Sequence, residues 1–102
     1  MWTLVLFDLP SEGAAAQRAY GRFRNLLRRS GFEALQKSAY CRWEDSPEAT
    51  ATLRRRILAA SPGEGHVAVF AFSDRAWEGL EMRVDGVPRP APPKPEAFIV
   101  WQ

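Results

Sequence analysis

The chain predicts an α+β sandwich, an antiparallel sheet carrying two helices on one face. Three observations carry that reading. Two apolar stretches, Trp2 to Phe7 and His66 to Phe72, are short enough to be strands; two helical patterns have recognisable ends; and each helix lies between strands in the chain. With 102 residues, 46% hydrophobic and 25% charged, the composition is that of one ordinary globular domain rather than a disordered tail.

The first strand, Trp2 to Phe7, is apolar until it meets Asp8 and then Pro10. A buried strand seldom ends on an acid, because an ionised carboxylate there needs a cation, a hydrogen-bonding loop or water. Asp8 is therefore the residue to explain, at a place where chemistry is commonly mounted. Ser11 is expected to cap a helix beginning near Glu12, and Gly31 to end it in a left-handed turn. Ala16, Tyr20, Phe23 and Leu27 share its inner face, while Arg18, Arg22 and Arg29 project from the opposite side and Arg24 and Arg28 flank them. Phe32 to Trp43 reads as one bent strand or two short ones. Ser46, with Pro47 at the first helical position, starts a second helix whose inner face is Ala49, Leu53 and Ile57.

Ser61-Pro62-Gly63-Glu64-Gly65 breaks that helix, and His66 to Phe72 follows as a strand apolar on both faces, expected at the centre of the sheet. Asp74 to Gly79 reads as a short turn and Leu80 to Val84 as another strand, ended by Asp85-Gly86. Five of the eight prolines fall between Pro88 and Pro95, so that segment is expected to be an extended strap. The apolar Phe98 to Trp101 is expected to dock as an edge strand. The chain thus divides into a domain over residues 1–86 and a proline-rich strap with a terminal strand over residues 87–102. The order of elements is the split βαβ pattern of a ferredoxin-like βαββαβ sandwich.

Both long strands are apolar on two sides, yet the pattern offers no third helix to cover the second face. A twofold homodimer, sheet against sheet, is the expected answer, and it would bring two copies of Asp8 together. Charge is uneven: up to residue 60 there are ten Lys or Arg against six acids, and no acid lies between Ala14 and Ser30. A row of arginines without acids repels itself unless phosphate or counterions neutralise it, and arginine binds phosphate bidentately. The single cysteine, Cys41, excludes a disulfide framework and fits the cytoplasm, and nothing in the first residues resembles an export or membrane segment. Arg54 to Arg56 read as solvated, His66 as an ordinary packing or surface residue, and the tryptophans Trp2, Trp43, Trp77 and Trp101 as core or dimer-interface residues.

The chain resembles the CRISPR-associated Cas-two family over roughly residues 3 to 84, through an ordered set of motifs. These are Val5-Leu6-Phe7-Asp8-Leu9-Pro10, Arg18-Ala19-Tyr20-Gly21-Arg22-Phe23-Arg24, Gly31 to Tyr40, Gly65-His66-Val67 and Phe72-Ser73-Asp74-Arg75-Ala76-Trp77. The resemblance implies a ferredoxin-like dimer, a divalent cation such as Mg²⁺ between paired aspartates at Asp8 and, in some members, cleavage of RNA or DNA. It also implies a scaffold role, in which the dimer bridges the Cas-one integrase and supports duplex DNA during spacer acquisition. Arg18, Arg22, Arg24, Arg28 and Arg29 fit that DNA surface. Gln36 and Ser38, from the family motif, are expected to orient Asp8 or water. Ala39 stands where the family usually has a β-branched residue, and the proline strap has no counterpart in the pattern. A free-standing metal-dependent endoribonuclease of the toxin type is the alternative, and a ligand-binding regulatory module would leave the arginine row unexplained.

Overall fold

The computed structural model describes residues 1–95, so the strand expected at Phe98 to Trp101 lies outside the described residues. Its elements are β1 (Trp2–Asp8), α1 (Ala14–Arg29), β2 (Glu33–Gln36), β3 (Ala39–Trp43), α2 (Pro47–Ala59), β4 (His66–Phe72), α3 (Asp74–Glu78), β5 (Met82–Val84) and β6 (Val87–Arg89). The first four strands form one antiparallel sheet in the order β2-β3-β1-β4. That is the ferredoxin-like order. No helix among the described residues is long and apolar enough to cross a membrane.

Alternation along β1 sorts the side chains onto two faces. Val5 and Phe7, with Leu9 just beyond, pack with Phe23 and Leu27 of α1 and Leu53 and Ile57 of α2. Phe7 meets Phe23 edge-on at 5.3 Å between ring centroids. Trp2 and Leu4 belong to the opposite face, together with Cys41, Trp43 and Phe72.

The helix ends follow local chemistry. Gly31 takes φ +84°, with Gly31 N–H bonded to Arg28 C=O and Phe32 N–H to Leu27 C=O, each 3.0 Å. This is a Schellman stop, as expected of glycine just past a helix. Ser46 Oγ accepts from Ala49 N–H at 3.0 Å with Pro47 in the first turn, also as expected. Ser11 does not cap α1: the helix begins at Ala14 after Gly13, whose φ of +91° is incompatible with helix and sets the start two residues later. Between β2 and β3 the bend falls at Lys37-Ser38.

Three further expectations are corrected. β4 is an edge strand and β1 an interior one: an apolar run does not specify neighbours on both sides, and on the open face Phe70 of β4 is left 46% exposed. Asp74 to Glu78 is a short helix, with Ser73 Oγ accepting from Ala76 N–H at 3.0 Å, rather than a turn. The open sheet face is consequently not bare, since α3 lays Trp77 against Trp2 with ring centroids 4.2 Å apart. The strand expected at Leu80 to Val84 shrinks to β5, which pairs with β6 through Asp85 and Gly86, both at positive φ. That hairpin crosses the boundary drawn after residue 86. Beyond it the strap packs inward, Ala91 joining the Trp2 cluster and Trp77 Nε1–H donating to Pro92 C=O at 2.9 Å.

Candidate functional site

β1 and β4 run antiparallel in register from Trp2↔Phe72 to Asp8↔His66. Asp8 and His66 are therefore direct cross-strand partners, and both are exposed. They share the open face with Leu6, Ala68 and Phe70. Leu6 is 39% and Phe70 46% exposed, so a bare apolar strip leads up to the carboxylate.

Gly65 holds this corner together. Its φ is +86°, and a Cβ placed there would lie 2.6 Å from the Asp8 carbonyl oxygen and 3.0 Å from Leu9 Cα. Only glycine allows the incoming β4 to approach so closely and hold His66 opposite Asp8.

The sequence expected Gln36 and Ser38 to support Asp8. Ser38 does reach the corner through its main chain, its C=O accepting from Phe7 N–H at 3.0 Å. Gln36 pairs with Ala39, which pairs with Leu6. It stands two strands from Asp8, roughly 10 Å at ordinary strand spacing, too far for a direct hydrogen bond.

Of the α1 arginines, Arg18, Arg22, Arg28 and Arg29 are exposed and Arg24 is half-buried. The Nε of Arg24 is enclosed without a hydrogen-bond partner among the described residues, which sets it apart from the open ridge. The ion pairs found among the described residues are Met1 amino group to Asp74, Arg42 to Glu44, and Lys94 to Asp74; none engages an α1 arginine. At the lower end of the ridge, Arg29 lines a cavity of about 610 Å³ with Arg42 and Arg56. Arg42 is committed there, donating to Ser30 C=O and Glu44. Arg56, expected to be solvated, is exposed, and the approach of the two helices places it at the rim of this cavity.

Elsewhere titratable groups serve structure. Burial, reinforced by repulsion from Glu33, pushes the Cys41 thiol up to about 12. The Trp43 indole N–H, donating at 3.0 Å, holds the Asp74 carboxyl below its ordinary range, with smaller help from the amino terminus and Lys94. Trp2, Trp43 and Trp77 gather into one cluster, which supports their reading as packing residues.

His66, read from the sequence as a packing or surface residue, is exposed, and the register sets it beside Asp8. That placement follows from the topology: β4 pairs antiparallel with β1, and two seven-residue strands paired end to end place position 66 against position 8.

The model of the family described as CRISPR associated protein Cas2 matches residues 1–79. A protein of Paracidovorax avenae named CRISPR-associated endoribonuclease Cas2 is 36% identical over 101 residues, covering 99% of this chain and 94% of its own length. One of the same name from Parvibaculum lavamentivorans is 32% identical over 101 residues, covering 99% of this chain and all of its own. A third, CRISPR-associated endoribonuclease Cas2 2 of Rhodospirillum rubrum, is 36% identical over 86 residues, 84% of this chain and 77% of its own.

Proposed function

The chain belongs to the CRISPR-associated protein Cas2 family, and on that premise we propose that it works as a homodimer that binds duplex DNA and bridges the Cas-one integrase in spacer acquisition. The same reading gives it phosphodiester cleavage dependent on a divalent cation at paired copies of Asp8. One observation carries it: Asp8 stands exposed at the end of a central strand, on the face where Leu6 and Phe70 are also left open. A second copy laid on that strip buries it and brings the two carboxylates together.

Such a pair offers magnesium a donor set that it accepts. Among the described residues no three His, Cys, Asp or Glu side chains converge on a metal site, while Mg²⁺ is content with one or two carboxylates completed by water and phosphate oxygens. When bound, the cation polarises a phosphoryl oxygen and acidifies a water. Asp8 stands exposed at the end of β1, Gly65 fixes the main chain behind it, and the arginines of α1 bind the phosphate backbone on the other layer. Those arginine contacts position a duplex without reading its sequence. The name carried by the relatives favours RNA as the strand cleaved, which is the second reading: a free-standing endoribonuclease.

Asp8→Ala tests the cleavage. Its expected outcome is loss of Mg²⁺-dependent hydrolysis with dimerisation and duplex binding retained; equal cleavage by variant and parent would overturn it. The DNA surface is read by the salt dependence of affinity. Removing Arg18 and Arg22 together should reduce the slope of log K against log salt by about 2 if each neutralises one phosphate. An unchanged slope would remove the ridge from the interface.

A further inference from the structure

We propose that His66 is a second metal ligand beside Asp8, making the site one for a first-row transition divalent cation rather than for magnesium alone. The inference rests on the reading of Asp8 as a cation ligand and deepens it.

The register places Asp8 and His66 directly opposite each other, at the end of the sheet and on its open face, both exposed. Cβ atoms of directly opposed residues in an antiparallel pair lie roughly 4.5–5.5 Å apart. A carboxylate and an imidazole extending from that separation fall within reach of one cation, whose bonds to such ligands are about 2 Å long. Their alignment is built, not incidental: Gly65, the residue before His66, has its main chain against the Asp8 carbonyl so closely that any side chain would collide. β4 therefore cannot slide along β1 at this end without losing the contact.

Donor chemistry then decides the metal. Carboxylate, water and phosphate oxygens suit magnesium, which makes no use of imidazole, whereas transition divalents accept nitrogen and oxygen together. One protomer gives one of each; two facing protomers give two carboxylates and two imidazoles, and solvent or phosphate completes the shell. The arrangement needs no other residue type.

His66 is the only histidine of the chain, so a single imidazole signal reports on it. The full-length protein is titrated calorimetrically with Mn²⁺ and separately with Mg²⁺, at a mildly alkaline pH where imidazole is neutral. His66→Ala should weaken Mn²⁺ binding by about tenfold or more while changing Mg²⁺ binding by less than about twofold. In the parent, substoichiometric Mn²⁺ should broaden the His66 imidazole resonance beyond detection, and Asp8→Asn should abolish that broadening. Mn²⁺ binding that is indifferent to His66→Ala, or that leaves the imidazole signal sharp, would overturn the proposal. If Asp8→Asn then still abolishes Mg²⁺ binding, only the part given to His66 has failed. Binding of neither cation by the parent would overturn the Asp8 reading as well.

Discussion

Replacing Gly65 by alanine should be the most damaging single-methyl change in the chain, and its cost can be worked from two separate sources. The first is conformational. At φ +86° an L residue is strained by about 1–2 kcal/mol. The second is steric: the new Cβ would lie 2.6 Å from Asp8 O and 2.9 Å from Leu9 Cδ2, the first of these a main-chain atom that cannot swing aside. Overpacking of that kind costs about 1–3 kcal/mol, so the sum is about 2–5 kcal/mol. Small domains hold about 5–15 kcal/mol in total. Gly31→Ala separates the two sources, because Gly31 has nearly the same φ, +84°, but its Cβ would meet only Arg42 guanidinium atoms at 3.4 Å or more, ordinary contact. Urea unfolding of both variants, followed by tryptophan fluorescence, gives the comparison at equal slope. The expected order is Gly65→Ala weaker than Gly31→Ala by about 1–3 kcal/mol, with a melting temperature lower by roughly 4–8 °C for each. Equal destabilisation would refute the close approach at Asp8, and with it the account of how His66 is held in register.

Phe70→Glu, at a position 46% exposed, should leave the fold within about 0.5 kcal/mol of the parent. In sedimentation it should convert a dimer to a monomer, and a persisting dimer would move the contact to another surface. Cys41 should resist thiol reagents until the protein unfolds, which a reaction with an aromatic disulfide in the presence and absence of urea will show. Because its folded thiol titrates near 12 against an ordinary 9.0, the folded state keeps a proton that the unfolded chain loses. Its contribution is therefore full below about pH 9 and declines as pH rises between those values, measurable as a falling urea midpoint.

Much of the fold could be read from local chemistry, and what could not was set by distance along the chain. Ser46 with Pro47, and Gly31 after Leu27, carry their instructions within one helical turn, and both ends form where those instructions place them. Ser11 misled because a hydroxyl before a helical pattern looks like a cap, while the stronger constraint was the positive φ at Gly13. β4 misled differently: its apolar run is silent about edges, and its open face is left exposed at Ala68 and Phe70. Asp8 stood out in the sequence as an acid ending an apolar strand. The placement of His66 opposite it did not, since that depends on pairing across 58 positions, from 8 to 66, which no local pattern records. The convergence of Arg29 with Arg56 was hidden for the same reason.

The third helix changes what a dimer of this chain would look like. A wholly bare sheet face could accept a second copy anywhere along its length. Here Trp77, stacked on Trp2 and tied by its indole N–H to Pro92, occupies the end where β1 begins, with Leu80 and Ala91 beside it. The apolar surface left over on this face is Leu6, two residues from Asp8, and Phe70, which pairs with Leu4 nearer the middle of the sheet. In the proposed dimer the contact then falls on that strip, which keeps the twofold axis off the Trp2 end of the sheet. Without the tryptophan seal, the second copy would be free to settle further down β1, and the carboxylates would separate by about 3.3 Å for each residue of shift in each strand. In the proposed dimer the tryptophan cluster would thus help decide whether the two aspartates meet.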